Sequence, residues 1–200
     1  MTKTVEFWFD FGSPAAYLAW TQMPAIARET GAHIDYRPML LGGVFQATSN
    51  RSPMEVAPKG RYMQDDLQRF ARRYNAPFVH NPFFPINTLM LMRGAVGLQM
   101  REPEKFIDYG NAMYRALWVE ARNMNDPAVV GAVLEAAGFD TQQFLALTAD
   151  AEVKERLKAV TQEAVARGVF GAPTFFVDGD MFWGQDRLDF VQEALLKATP

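Results

Sequence analysis

Ser13 stands where a strand-forming stretch, Val5 to Phe9, gives way through Asp10-Phe11-Gly12 to a helix start at Pro14. A serine there can simply cap the helix, and proline fits the first helical position because its missing N–H costs nothing. The same place also suits chemistry. A helix N-terminus carries partial positive charge and N–H groups without intrahelical partners. A thiol set against it has its thiolate favoured, below the ordinary pKa of ~8.5. The Ser13 hydroxyl can donate a hydrogen bond to that thiolate. The chain contains no cysteine, so the sulfur for such chemistry has to arrive on another molecule. Serine as the nucleophile itself would need a base, and neither of the two histidines, His33 and His80, stands in a triad-like setting.

Far downstream, Gly168-Val169-Phe170-Gly171-Ala172-Pro173 leads into the strand-like Thr174–Val177. Ala172-Pro173 is either an ordinary trans proline at a strand entrance or a cis proline that turns the Ala172 backbone outward. In the second case the Ala172 N–H and C=O can pair with an extended peptide, as in strand addition. The cysteinyl unit of glutathione is such a peptide and carries the missing sulfur. Gln185-Asp186 precede the last helical stretch. Asp186 can cap that helix, or it can pair with the ammonium of a γ-glutamyl group whose carboxylate meets the helix-start N–H groups. Asn50 and Lys59 read as plain loop residues or as ligands. As ligands, Lys59 would meet the glycyl carboxylate of glutathione and Asn50 would hydrogen-bond the tripeptide or the substrate.

These residues need a scaffold. The strand at 5–9, the helix after Pro14 ending before Gly31, and a strand at 33–37 form a β-α-β unit, which is right-handed and parallel. Pro24 is expected to kink or divide its helix. The span from Leu41 to Pro58 reads as an irregular connector, because of Gly42-Gly43, Asn50-Arg51-Ser52-Pro53 and Pro58-Lys59-Gly60. Helices are expected over 61–74, 88–100, 103–120, 127–137, 141–148 and 152–167, with Asn87 and Asp126 as N-caps and Gly138 and Gly168 as terminal glycines. The methionine-rich Met90-Leu91-Met92 reads as core. Strands at 174–177 and 181–183 flank Asp178-Gly179, a strong hairpin signal, and a helix over 187–198 closes the chain. The predicted class is α/β: a thioredoxin-like fold at 1–44 and 168–200, with a connector and an all-helical domain at 45–167 inserted between its β-α-β and β-β-α halves.

Two hundred residues, 49% of them hydrophobic, can bury a substantial core. A net charge of −3 argues against a nucleic-acid partner. The absence of cysteine excludes a disulfide framework and an internal dithiol couple. Two isolated histidines offer no metal spacing, and no apolar run reaches the ~18 residues of a membrane span. The N-terminal stretch lacks a basic region followed by an apolar run, so a cytoplasmic protein is expected.

In order along the chain, Phe9-Asp10-Phe11-Gly12-Ser13-Pro14-Ala15-Ala16-Tyr17, Asn50-Arg51-Ser52-Pro53, Pro58-Lys59-Gly60-Arg61-Tyr62-Met63, Phe84-Pro85-Ile86-Asn87-Thr88, Leu117-Trp118-Val119-Glu120 and Gly168 to Asp186 resemble the glutathione-dependent branch of the DsbA-like thioredoxin superfamily. More narrowly, the chain resembles the 2-hydroxychromene-2-carboxylate isomerases, relatives of the kappa-class glutathione transferases. The resemblance implies that Ser13 activates glutathione sulfur, that Pro173 is cis with Ala172 supplying backbone bonds, and that Asn50, Lys59, Gln185 and Asp186 surround the tripeptide. Where kappa-class transferases carry a serine before this aspartate, this chain has Gln185, and its Phe84-to-Thr88 segment is more isomerase-like. A homodimer is implied as well.

For that family the reaction interconverts a cyclic hydroxychromene carboxylate and trans-o-hydroxybenzylidenepyruvate, in bacterial breakdown of naphthalene-type aromatics. Addition of the glutathione thiolate to the conjugated alkene makes a single bond that rotates, and its expulsion restores the alkene. The enolate formed needs a hydrogen-bond donor or a cation, which the sequence does not identify. Phe45, Phe84, Asn87 and Trp118 are candidates to flank the flat substrate; each aromatic is equally explained as core. Two other readings use the same residues: a kappa-like transferase or peroxidase acting on another electrophile, and a DsbA-like module that binds peptides without turnover.

Overall fold

A computed structural model describes residues 2–197. Along the chain run β1 (Thr4–Phe9), α1 (Pro14–Thr30), β2 (His33–Pro38), α2 (Leu41–Thr48), α3 (Ala57–Arg73), α4 (Leu89–Arg101), α5 (Phe106–Trp118), α6 (Pro127–Ala136), α7 (Thr141–Ala149), α8 (Ala151–Ala166), β3 (Thr174–Val177), β4 (Asp180–Trp183) and α9 (Leu188–Leu196). Short 3-10 turns occupy Pro53–Glu55, Pro103–Lys105 and Gln185–Arg187.

The strands form one sheet in the order β2-β1-β3-β4. β1 and β2 are parallel, with Phe7 opposite Tyr36; β1 and β3 are antiparallel, with Phe7 opposite Phe175; β3 and β4 form the hairpin. Its turn residues Asp178 and Gly179 both have positive φ, 51° and 93°, the requirement of the tight turn that matches strand twist. This is the mixed α/β thioredoxin-like architecture, with a helical block between β2 and β3.

Strand alternation decides what each sheet face meets. Val5, Phe7, Phe9, Phe175 and Val177 point into the larger core with residues of α1, α4, α5 and α9. Trp8 and Phe176 point the other way, into a smaller core with Val44 of α2 and Val160 and Ala164 of α8. The larger core is aromatic. Phe9 and Trp20 lie 5.4 Å apart, Phe11 and Tyr114 4.9 Å, and Trp20 and Tyr36 4.8 Å. Gly110 on α5 makes that packing possible, since a Cβ there would stand 2.5 Å from the Trp20 ring.

The span expected to be irregular holds a helix. α2 begins at Leu41 despite Gly42-Gly43, and its first N–H is held by the Asp10 carboxylate at 2.8 Å. A cap supplied from 31 positions upstream leaves no local signature. Gly43 sits where a Cβ would come within 3.2 Å of Thr161 on α8, so the glycine there serves close helix packing. α3 also starts earlier than expected, at Ala57, which brings Pro58 and Lys59 into its first turn. α1 runs through Pro24 undivided and ends on Gly31 at φ 68°. The expected boundary at 44/45 falls inside α2. The expected end of the last helix, 198, lies outside the described residues. Among the described residues no helix is long and apolar enough to cross a membrane, and no cluster of three or more histidine, aspartate or glutamate side chains could hold a metal.

Candidate functional site around Ser13

β1 ends at Phe9 in the middle of the sheet, and the chain must turn at once into α1. Ser13 makes that turn. Its backbone N–H donates to the Asp10 carbonyl at 3.0 Å, and its Oγ accepts the Ala16 N–H at 3.1 Å as the α1 N-cap. The hydroxyl proton goes elsewhere: Oγ donates to the Ala172 carbonyl at 2.9 Å. Ser13 is buried, 5% exposed, beside the half-buried Ala172. The cap and the contact with the proline loop are made by one side chain.

The Ala172–Pro173 peptide is cis. Pro173 is buried and accepts the Gly184 N–H at its carbonyl, 3.0 Å away. Ala172 is half-buried, and its N–H has no hydrogen-bond partner among the described residues. Asn50 reaches the same loop. Its Nδ2 donates to the Phe170 carbonyl at 2.8 Å while its Oδ1 accepts the Arg51 N–H. The structure thus brings Ser13, Asn50, Ala172 and Pro173 together.

Lys59 is exposed in the first turn of α3. A cation there opposes the helix dipole, which favours anions at that end. No acidic residue shares the turn, and Lys59 forms no ion pair among the described residues. A cation in the disfavoured position, beside free helix N–H groups, is a suitable seat for a carboxylate.

Asp186 does not cap α9. It lies in the 3-10 turn Gln185–Arg187, and Arg187 occupies the N-cap position of α9 with no side-chain cap bond. The Asp186 Oδ2 accepts from Arg187 at 2.7 Å, and Asp186 borders a cavity of about 270 Å³ shared with Gln22, Arg73, Tyr74 and Asp189. Gly184 has φ 103°, and a Cβ on it would stand 2.4 Å from the Asp186 Oδ1, so only glycine leaves room for this carboxylate. Gln185 is buried, and its carbonyl accepts the Tyr74 hydroxyl at 2.6 Å. Burial pushes the Tyr74 phenol up to about 12, with Arg73 pulling it down and Asp186 and Asp189 adding to the rise, so it remains a donor at neutral pH.

Of the four residues proposed to flank a substrate, Trp118 does not present a face to solvent. It is fully buried and donates its Nε1–H to the Phe11 carbonyl at 2.8 Å. Its size and apolar neighbours made it core, and it supports the loop that carries Ser13. Phe84 is half-buried with its ring 6.1 Å from Trp118, and the Phe84–Pro85 bond is cis. Phe45 is half-buried on α2. Asn87 is exposed; its Oδ1 accepts the Leu89 N–H at 3.1 Å, a capping bond at the start of α4.

Asp10 was not among the residues singled out from the sequence. It is 1% exposed, and its carboxylate accepts the Gly12 N–H and the Leu41 N–H, each at 2.8 Å. Burial pushes its carboxyl above the ordinary value, while those two N–H groups and the Thr88 side chain pull the other way. It ties the β1–α1 turn to the start of α2. The one sequence signal is an acid between two phenylalanines in a strand exit, where an unpartnered charge would be costly.

The sequence model of the DSBA-like thioredoxin domain matches residues 4–196. A 2-hydroxychromene-2-carboxylate isomerase of Sphingobium xenophagum is 34% identical over 98% of this chain and 100% of its own. A solved structure of a 2-hydroxychromene-2-carboxylate isomerase superposes with a TM-score of 0.85 at 30% identity, covering 96% of this chain and 94% of that one. Human glutathione S-transferase kappa 1 is 26% identical over 98% of this chain and 92% of its own.

Proposed function

The chain belongs to the DSBA-like thioredoxin domain family and, within it, to the 2-hydroxychromene-2-carboxylate isomerases, and on that premise we propose that it is a glutathione-dependent isomerase interconverting 2-hydroxychromene-2-carboxylate and trans-o-hydroxybenzylidenepyruvate. The observation that supports the glutathione reading is the contact of Ser13, at the N-terminus of α1, with the Ala172 carbonyl of the cis-proline loop, which Asn50 also reaches at Phe170, in a chain without cysteine. When bound, glutathione supplies a thiolate nucleophile whose reversible addition lets a conjugated alkene rotate.

The chain's own residues have distinct tasks on this reading. Ser13 turns its proton from the Ala172 carbonyl to the thiolate; a charged acceptor makes the stronger hydrogen bond, so the exchange is favourable. The α1 N-terminus adds its partial charge to the same atom. Ala172 offers its N–H to the cysteinyl carbonyl, and Pro173 and Asn50 hold that loop. Lys59 and the first turn of α3 take the glycyl carboxylate. Asp186 pairs with the γ-glutamyl ammonium beside Gln185. Its present partner, Arg187, is an exposed neighbour, and such a pair is worth only about 0–1 kcal/mol and is readily exchanged. Phe45, Phe84 and Asn87 border the substrate. The same reading gives a homodimer working in the cytoplasm on the breakdown of naphthalene-type aromatics, with no nucleic-acid or membrane partner.

The test is to supply 2-hydroxychromene-2-carboxylate with glutathione and follow the products by chromatography. Appearance of trans-o-hydroxybenzylidenepyruvate supports the isomerase. A stable glutathione conjugate that accumulates in its place would point to a kappa-like transferase and contradict it.

A further inference from the structure

A cavity of about 720 Å³ lies apart from Ser13, Phe45 and Ala172, none of which lines it. It is a groove between α2, α4 and α8. Leu40, Leu89, Leu157 and Val165 give it apolar walls, and Ala47 and Gly43 of α2 keep it open. Its volume lies within the ~300–1,000 Å³ of small-molecule sites.

Its charge is opposite to that of the protein. Arg93, Lys154 and Lys158 line it against one carboxylate, Glu155, while the whole chain carries −3. Lys158 pairs with Glu155 at 3.6 Å. Arg93 is half-buried on α4 and makes no ion pair or side-chain hydrogen bond among the described residues. A half-buried arginine can lay its stem along apolar walls and keep its guanidinium in water, so this one has its hydrogen-bond donors free for a ligand. A guanidinium at an apolar groove recognises a planar carboxylate through two parallel hydrogen bonds.

The groove also adjoins the β1–α1 turn. Leu40 precedes Leu41, whose N–H is held by Asp10, and Leu40's own N–H donates to Thr161 of the groove at 3.0 Å. Leu89 follows Thr88, whose methyl lies 3.1 Å from the Cβ position of Gly12. The walls of the groove are thus chain neighbours of the residues that fix the turn bearing Ser13.

We propose that the groove between α2, α4 and α8 is a second binding site, for a small aryl carboxylate, with Arg93 as the anchor of its carboxylate. The aryl class rests on the isomerase reading, whose substrate and product are both aryl carboxylates; the anionic, apolar character of the ligand rests on the groove alone. Such a site would sense the reaction's own metabolite class.

The experiment is calorimetric titration of chromone-2-carboxylate, with neutral chromone and octanoate as comparisons, into the wild-type protein and into Arg93→Met and Ala47→Trp. Ala47 is exposed, so the indole fills the groove without entering the core; melting curves accompany both variants. The expected result is loss of one binding site in Ala47→Trp and at least about tenfold weaker binding at that site in Arg93→Met, with chromone and octanoate weaker than the carboxylate on the wild type. Turnover persists in both variants, because neither residue touches the Ser13 site. An isotherm unchanged in both variants overturns the proposal, as does octanoate or neutral chromone binding as tightly. Loss of turnover together with binding in a folded Ala47→Trp also overturns it, because the groove would then be the substrate's own site. A wild-type protein that binds chromone-2-carboxylate through Arg93 yet isomerises nothing would contradict the isomerase reading and leave the site standing.

Discussion

The Ser13 hydroxyl donates to the Ala172 carbonyl at 2.9 Å across 159 residues of chain, while the same oxygen accepts the Ala16 N–H. One side chain therefore caps α1, joins the two halves of the thioredoxin fold and holds one movable proton. A hydroxyl has a single donor, so service to a thiolate means release of Ala172.

Ser13→Ala removes all three roles. Loss of the cap is expected to cost about 0.5–2 kcal/mol of stability. Turnover is expected to fall far more than glutathione affinity, since most of the contacts proposed for the tripeptide lie on other residues. Melting curves and steady-state kinetics on the same preparation check this; a folded variant with wild-type turnover would confine Ser13 to capping.

Asp10→Asn tests the buried carboxylate that fixes the turn. Asp10 accepts from both Gly12 and Leu41, and an amide has only one acceptor oxygen, so one N–H faces an NH2 group. A loss of about 1–3 kcal/mol is expected, read by urea denaturation. Stability equal to wild type would mean that the turn does not depend on this carboxylate.

The pH dependence of that residue has a definite sign. Burial raises the Asp10 carboxyl above 3.8, so over the window between 3.8 and its raised native value the native state binds the proton more readily than the unfolded chain. The proton-linked part of its contribution to stability is full below 3.8 and is lost as pH rises through the native value, while the bonds from Gly12 and Leu41 remain. Wild type minus Asp10→Asn, measured as denaturation midpoints across the acid range, should therefore decline with rising pH. A difference that grows with pH would reverse the assignment.

Lys59→Met separates ligand from scaffold through opposite signs. Removing a cation from the first turn of α3 relieves an unfavourable dipole contact and is expected to leave stability unchanged or raise it by about 0.3–1 kcal/mol. Losing a charged contact to a carboxylate is expected to weaken glutathione binding about tenfold or more. Calorimetry with a melting control reads both, and unchanged affinity would move the glycyl carboxylate elsewhere.

Much of this architecture was legible from local signals. Ser13-Pro14, Asp126-Pro127, Gly31 and the Asp178-Gly179 turn each declare an element boundary within a few residues, and each stands where expected. The misread parts depend on contacts distant in sequence. α2 was hidden because Gly42-Gly43 reads as a break and its cap comes from Asp10; a capping role stayed open for Asp186 beside the ligand role because the intervening 3-10 turn leaves no pattern. Trp118 read as a possible substrate wall because periodicity does not reveal which aromatic is fully enclosed. Arg93 and its groove arise only when three helices meet.

The central claim is a borrowed, regenerated thiolate, and its most direct measurement is conversion of 2-hydroxychromene-2-carboxylate by protein stripped of thiols by gel filtration, before and after adding glutathione at a small fraction of the substrate concentration. The account predicts no enzymatic conversion without glutathione, and progress to equilibrium with many product molecules formed per glutathione added. Full activity in the thiol-free protein, or conversion that stops once one product has formed per glutathione, would contradict it.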